Sequence, residues 1–342
     1  MITKGIERVD VRLLELELKS SGIPFSTPEF RYRPLAPLNP DNPNPARILG
    51  LHLFDVGPGV LDFVTAAQPA VMKIYGDPSM ASQIHERSPQ TRVVYRLDCP
   101  DIMNEFIYSK PPVTRAAWFI EKLAEVVRPY VDRGEIAYIE TPVYQGVYNN
   151  VGKAVEFELA FIAELERILP RARPLVATIA PGEPHESQYP LLLPLALEVE
   201  RVGGALGYHS YWPVEEGHSL LDDEWQRYAG RFEGMDAFFR ANGVQADWLL
   251  SECGPCGIIR DADFDDSILE FVQWSGWRHP QCFGGDWGAT LADIGKFRQR
   301  LSTSPAHVVG ATLFTVFSSP GYCEEAFTLG AEELATLATL TP

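Results

Sequence analysis

From residue 47 onward the chain alternates between two kinds of apolar pattern. Short runs dense in aliphatic and β-branched residues, ILGLHLF, AVMKIYG and RVVYRL, show little polar alternation. Strands buried on both faces require this pattern. Longer stretches with helical periodicity separate them. In PVTRAAWFIEKLAEVVRPYVDRG, residues Ile120, Leu123, Val127 and Tyr130 share one face, and Gly134 is placed to end the helix. The rhythm continues with strand IAYIET, helix GKAVEFELAFIAELERIL, strand LVATIA and helix LLLPLALEVERVGG. Strand ALGYHSY follows, then a helix with Tyr228, Phe232, Met235 and Phe239 on one side, ending near Gly243. Strand DWLLSE, a long irregular loop, helix TLADIGKFRQRLS, strand VVGATLFTVF and a short last helix, AEELATLATL, complete the chain.

Eight strand–helix units predict an α/β fold with parallel strands, and their number predicts a (β/α)8 TIM barrel over residues 47–342. An open doubly wound sheet shares the alternation. It more often carries a glycine-rich first turn, and the first turn here, LFDVGPGVLDF, has no GxGxxG. Residues 1–46 are different. FSTPEFRYRPLAPLNPDNPNPA is too rich in proline and asparagine for long regular elements, and reads as an irregular N-terminal arm packed on the barrel.

The composition, 46% hydrophobic and 22% charged, suits a large core in a soluble protein. A net charge of −17 without any Lys/Arg run argues against nucleic acid and anionic membranes as partners. The opening MITKGIERVDVRLLELELKSS lacks the apolar core of a signal peptide, and no window approaches the roughly 18 apolar residues of a membrane helix. Five cysteines are too few for a disulfide scaffold. The expected compartment is the cytoplasm.

Cys253-Gly254-Pro255-Cys256 has the dithiol spacing of thioredoxin-like proteins. Such a site opens a helix after the first central strand, whereas here the acidic, glycine-started GIIRDADFDDS follows, so a redox role is rejected. Cys253 and Cys256 with His279 and Cys282 make two CxxC/HxxC pairs that could close a structural zinc site pinning the loop. With four protein ligands such a site would not be catalytic, and no cofactor is otherwise called for.

In a barrel of this kind chemistry sits at the C-terminal ends of the strands. Glu140 ends IAYIE and Glu252 ends DWLLSE, each closing an otherwise core-like run. A carboxylate there costs free energy unless partners or function offset it. Paired carboxylates at such positions can protonate a leaving group and attack an anomeric carbon.

DWLLSECGP resembles the seventh strand of the large clan of (β/α)8 retaining glycoside hydrolases, where a hydrophobic strand ends in a nucleophilic Glu. ALGYHSYWP, with His209-Ser210-Tyr211, is similar to the clan's sixth strand, and VVGATLFTVFSS to its last; IAYIETPVY stands where the clan carries its acid/base glutamate. The chain has Ile139 where the clan usually has Asn before that glutamate. Near the nucleophile the second strand offers Lys73, and Arg96 ends the third.

The resemblance implies a carbohydrate substrate, Glu252 as nucleophile and Glu140 as acid/base. His209 and Tyr211 would contact the nucleophile or a sugar hydroxyl, Arg96 would contribute charge, and Tyr144, Tyr148, Trp212, Trp277 and Trp287 would stack on sugar rings. Glu183, Glu186, Asp286, Asp98 and Asp77 are reserve acids, with Glu183 the substitute proton donor. A catalytically silent carbohydrate-binding barrel and a zinc-stabilised barrel of other activity remain open as alternatives.

Overall fold

The computed structural model describes residues 47–97, 111–142, 151–258, 274–280, 282–316 and 327–340. Its strands are β1 (Leu49–Leu53), β2 (Val71–Tyr75), β3 (Arg92–Arg96), β4 (Tyr138–Glu140), β5 (Arg173–Ile179), β6 (Ala205–Glu215), β7 (His218–Ser219), β8 (Asp247–Ile258), β9 (Trp274–Ser275) and β10 (Val308–Val316). Eight of them pair in parallel around a closed ring. β1 through β6 follow chain order, β6 pairs with β8, β8 with β10, and β10 returns to β1. Eight helices of the described residues surround it: α1 (Val60–Ala67), α2 (Met80–Arg87), α3 (Pro112–Asp132), α4 (Val151–Ile168), α5 (Tyr189–Val202), α6 (Phe232–Ala241), α7 (Trp287–Ser302) and α8 (Ala331–Leu337). This is the (β/α)8 barrel that the apolar rhythm predicts. The proline-rich arm, residues 1–46, lies outside the described residues. No described helix is long and apolar enough to cross a membrane.

The strand interior is layered by the period-2 rule. Val71, Val94, Tyr138, Leu175, Ala205, Leu249 and Val309 form one apolar layer inside the ring. Two residues further along β2, β3 and β4 stand Lys73, Arg96 and Glu140, so a charged layer rests directly on an apolar floor. Residues of opposite parity, such as Ile74, Val93, Ile139 and Val176, face the helices and join the large outer core.

β5 and β8 break the alternation at the same height, and β10 slips against β1 and β8 as well. On β5, Leu175 faces inward while Val176 and Ala177 both join the outer core, and the pairing with β6 slips between Val176 and Ile179. On β8, Leu250 faces outward, then both Ser251 and Glu252 face the barrel, and the register slips against β6 and β10 alike. Each is a β-bulge, one extra residue that re-aims the side chains beyond it.

β8 does not end at Glu252 as the sequence reading expects. β6 and β8 run on together, from His209↔Glu252 to Val214↔Gly257, as a two-stranded wall above the barrel mouth that β7 and β9 extend at its edges. Cys253 to Cys256 therefore lie in extended strand, paired along β6. The three cysteines of the described residues, Cys253, Cys256 and Cys282, are buried thiols without disulfides, and among the described residues no group of three or more His, Cys, Asp or Glu side chains is placed to hold a metal ion.

Gly50 on β1 is dictated by a close approach: a Cβ there would lie 1.7 Å from the carbonyl oxygen of Val71. Since neither backbone can yield without opening the β1–β2 pair, Gly50→Ala should destabilise the barrel by about 3 kcal/mol or more. Urea unfolding checks this, and an unchanged midpoint would contradict the tight packing of the floor.

Candidate active site

The charged layer is centred on Lys73, whose side chain is fully buried. Its Nζ lies 2.8 Å from Glu140 Oε2 and 2.9 Å from Glu252 Oε1, so one ammonium bridges the two strand-end carboxylates. Arg96 adds a second cation, with Nη1 3.4 Å from Glu140 Oε1 and 3.9 Å from Glu252 Oε1. Ser251 Oγ donates to Glu140 Oε1 at 3.0 Å, a contact the β8 bulge makes possible. Tyr211 donates its hydroxyl to Glu252 Oε2 at 3.1 Å.

His209 stands between the carboxylates, its Nδ1 3.5 Å from Glu252 Oε2 and its Nε2 4.0 Å from Glu140 Oε1. His52, from β1, approaches Glu252 Oε1 to 3.9 Å. The two carboxylates differ in access. Glu140 has no exposed side-chain surface, whereas 11% of the Glu252 side chain is exposed.

Burial alone would push both acids up. Around Glu140, Lys73 and then Arg96 outweigh burial and hold the carboxyl down to about 2. Burial likewise opposes charge on Glu252, but His209 and Lys73, with Arg96, overcome it and hold the acid well below its ordinary range. Burial and then Lys73 push His52 far down, so its ring is neutral. The two carboxylates are thus ionised and balanced in formal charge by Lys73 and Arg96.

Above this layer, on the β1, β2 and β10 side, lie aromatic rings. His52 stacks on Phe54 at 5.0 Å and meets Phe314 edge-on at 5.1 Å, and Phe54 lies 5.0 Å from Tyr75. Phe54, Tyr75 and Phe314 are partly exposed. Tyr211 and the buried Phe327 pack against Phe314 from the other side.

Of the residues expected from sequence, Glu140, Glu252, His209, Tyr211 and Arg96 converge on Lys73. Trp212 does not. It follows Tyr211 on β6 and so faces out, stacking on Phe297 at 4.7 Å and donating its indole nitrogen to Asp293 at 2.5 Å. Trp287 begins α7 and donates to Thr336 of α8 at 2.6 Å, in the outer ring of helices. Trp277 is buried and donates to the Phe327 carbonyl at 3.2 Å.

Tyr144, Tyr148 and Asp98 lie outside the described residues. Asp286 caps α7 through the Ala289 amide, and Asp77 accepts from Ser79 at the start of α2. Glu186 is exposed. Glu183, on the loop after β5, is half-buried, and burial raises its carboxyl while Arg231 pulls it back.

Sequence reasoning did not single out His52, Ser251, Phe54, Tyr75 or Phe314. His52 could have been found, because a histidine inside ILGLHLF breaks an apolar run just as Glu140 and Glu252 do.

No known family profile matches the chain, nor does any curated protein sequence. Solved structures do. A family 39 glycoside hydrolase from the gut symbiont Bacteroides cellulosilyticus WH2 is similar with a TM-score of 0.53 and 9% identity, over 87% of this chain and 64% of that one. A GH5-4 broad specificity endoglucanase from an uncultured bacterium is similar with a TM-score of 0.50 and 10% identity, over 87% of this chain and 94% of that one. At these identities the likeness establishes the barrel fold. The chain spans under two thirds of the length of the first of these structures.

Removing the bridging cation strands Glu140 in a dry site. Lys73→Met should therefore destabilise the protein by about 3–5 kcal/mol at pH 7, and adding Glu140→Gln should restore part of the loss. Urea unfolding of both variants reads this. The sign with pH follows from the depressed acid: the Glu140 contribution is complete above its ordinary 4.5 and disappears as pH falls toward about 2.

Proposed function

We propose that the protein is a glycoside hydrolase that cleaves a glycosidic bond with retention of configuration, using Glu252 as nucleophile and Glu140 as acid/base. The observation that carries this reading is the pairing of both carboxylates, from β4 and β8, on one lysine nitrogen at the C-terminal mouth of a barrel. The contacts of 2.8 and 2.9 Å, laid end to end, cap the gap between those two oxygens. That ceiling, under about 6 Å between the two oxygens facing Lys73, is compatible with the roughly 5–5.5 Å separation of retaining carboxyl pairs. The similar barrels include glycoside hydrolases, which supports the class.

In the first displacement a Glu252 oxygen attacks the anomeric carbon, the bond to the leaving oxygen breaks, and Glu140 gives that oxygen its proton. In the second, water attacks the same carbon, Glu140 takes the water proton, and Glu252 departs. Ionisation suits Glu252 for attack, with Tyr211 and Lys73 orienting its two oxygens. The partly exposed Phe54, Tyr75 and Phe314 offer the apolar face of a sugar ring a surface to stack on.

Glu140 starts ionised and turned onto Lys73 and Arg96, so donation requires it to gain a proton and turn toward the mouth, leaving Lys73 paired to Glu252. This fixes the pH dependence. The protonated fraction of an acid held near 2 falls as pH rises, so kcat/KM should climb, by up to about tenfold per unit, as pH is lowered from 7 toward 4. An optimum near neutrality would take the donor role from Glu140 and favour Glu183.

A panel of glycans, assayed for released reducing ends, tests the class. Glu252→Gln should abolish turnover without changing the circular dichroism spectrum, and proton NMR of the first product should show the retained anomer. Turnover by Glu252→Gln, or an inverted product, would overturn the mechanism. The complete burial of Glu140 favours one other reading, a carbohydrate-binding barrel without catalysis. Calorimetric binding of a glycan that the protein leaves uncleaved would select it.

A further inference from the structure

Glu158 lies on α4, outside the barrel, and none of the chemistry above uses it. It is fully buried, its Oε1 accepts from the Ala177 amide at 2.9 Å, and its Oε2 has no hydrogen-bond partner among the described residues. A buried polar side chain left half-satisfied is a cost that needs a reason.

The reason lies in the residue it holds. Ala177 has φ +55°, a left-handed conformation that disfavours any residue bearing a Cβ. It is the extra residue of the β5 bulge. Because of it Ala177 turns outward with Val176, and the next residue, Thr178, turns into the barrel.

Gly207 records where Thr178 goes. Its own parity is inward, and a Cβ there would come within 2.5 Å of the Thr178 methyl group. β6 has therefore given up a side chain to make room for Thr178. Glu140 pairs with Leu175 just below, and His209 follows Gly207 by two residues, so Thr178 enters beside the strands that carry both groups.

We propose that Glu158 is a positioning residue of the site: through the Ala177 amide it holds the β5 bulge that turns Thr178 into the charged layer between Glu140 and His209. Burial, only partly opposed by the Ala177 amide, pushes the Glu158 carboxyl up to about 8, so it acts as a neutral acceptor. Glutamine keeps that acceptor and that neutrality, whereas leucine removes the acceptor.

The test has one readout that does not depend on the proposed reaction and one that rests on it. Threonine methyls are labelled for NMR, the Thr178 signal is assigned by its loss in Thr178→Val, and glycoside turnover is measured in parallel. Glu158→Leu should shift the Thr178 methyl and lower kcat by on the order of a hundredfold with little change in KM. Glu158→Gln should leave both near wild type. Ala177→Gly combined with Glu158→Leu should restore the Thr178 signal and most of kcat, because glycine holds the left-handed conformation without an anchor.

An unmoved Thr178 methyl in Glu158→Leu, or an equal defect with Ala177→Gly added, would overturn the proposal. If Glu158→Leu alone does not fold, a folded double variant with Thr178 in its native position supports the proposal, and a double variant that also fails to fold refutes it. Absence of turnover in wild type would count against the glycosidase reading alone, since the methyl signal still decides the role of Glu158.

Discussion

One ammonium group shared between two carboxylates, deep inside a barrel, sets the terms for the rest of the molecule. Taking Lys73, Glu140 and Glu252 out of water is unfavourable unless each finds close partners, and removal of any one leaves the others stranded. The ring of strands meets that demand by delivering the groups from β2, β4 and β8, with Arg96 from β3 completing the balance. The apolar floor beneath and the rings of His52, Phe54, Tyr75 and Phe314 above keep the medium poor in water, which strengthens every charge interaction within it. Access is left at Glu252, the member of the pair with exposed surface.

Regular strands alone would not assemble this layer. Period-2 alternation on β8 admits either Ser251 or Glu252 to the barrel, yet Glu140 uses the first and Lys73 the second. The bulge on β8 admits both, and the bulge on β5 admits Thr178. The two flank β6, which stays regular there and carries a glycine at the crowded height. Irregular backbone at the rim of a barrel thus belongs to the construction of the site.

Much of this was legible in the sequence, for identifiable reasons. Eight apolar runs separated by helical periodicity give the barrel because both signals are long and repeated. Glu140 and Glu252 are visible as charges that end core-like strands, and Arg96 as a cation in the same place. The outward face of Trp212 is also legible in the sequence, against its expected place on the substrate surface: if His209 and Tyr211 face inward on β6, Trp212 must face out. The bulges at Ala177 and Ser251 leave no mark in composition or periodicity, since an extra residue in a strand reads as ordinary strand. Nor do the cysteines of CGPC signal that β8 continues past Glu252, because that continuation depends on β6 running alongside. Lys73 is visible in the sequence as the cation of the second strand, but its role as the bridge depends on distances that only the closed ring creates.

The ionisation of the bridged pair can be measured directly. Carbon-13 labelling of glutamate side chains, with Glu140 and Glu252 assigned through Glu140→Gln and Glu252→Gln, gives each carboxyl its own titration. Between pH 8 and about 4 neither resonance should move, since Lys73 and Arg96 hold both acids ionised throughout that range. A carboxyl that titrates near pH 6 would contradict the shared-cation account, and would mark that residue as an acid already poised to donate.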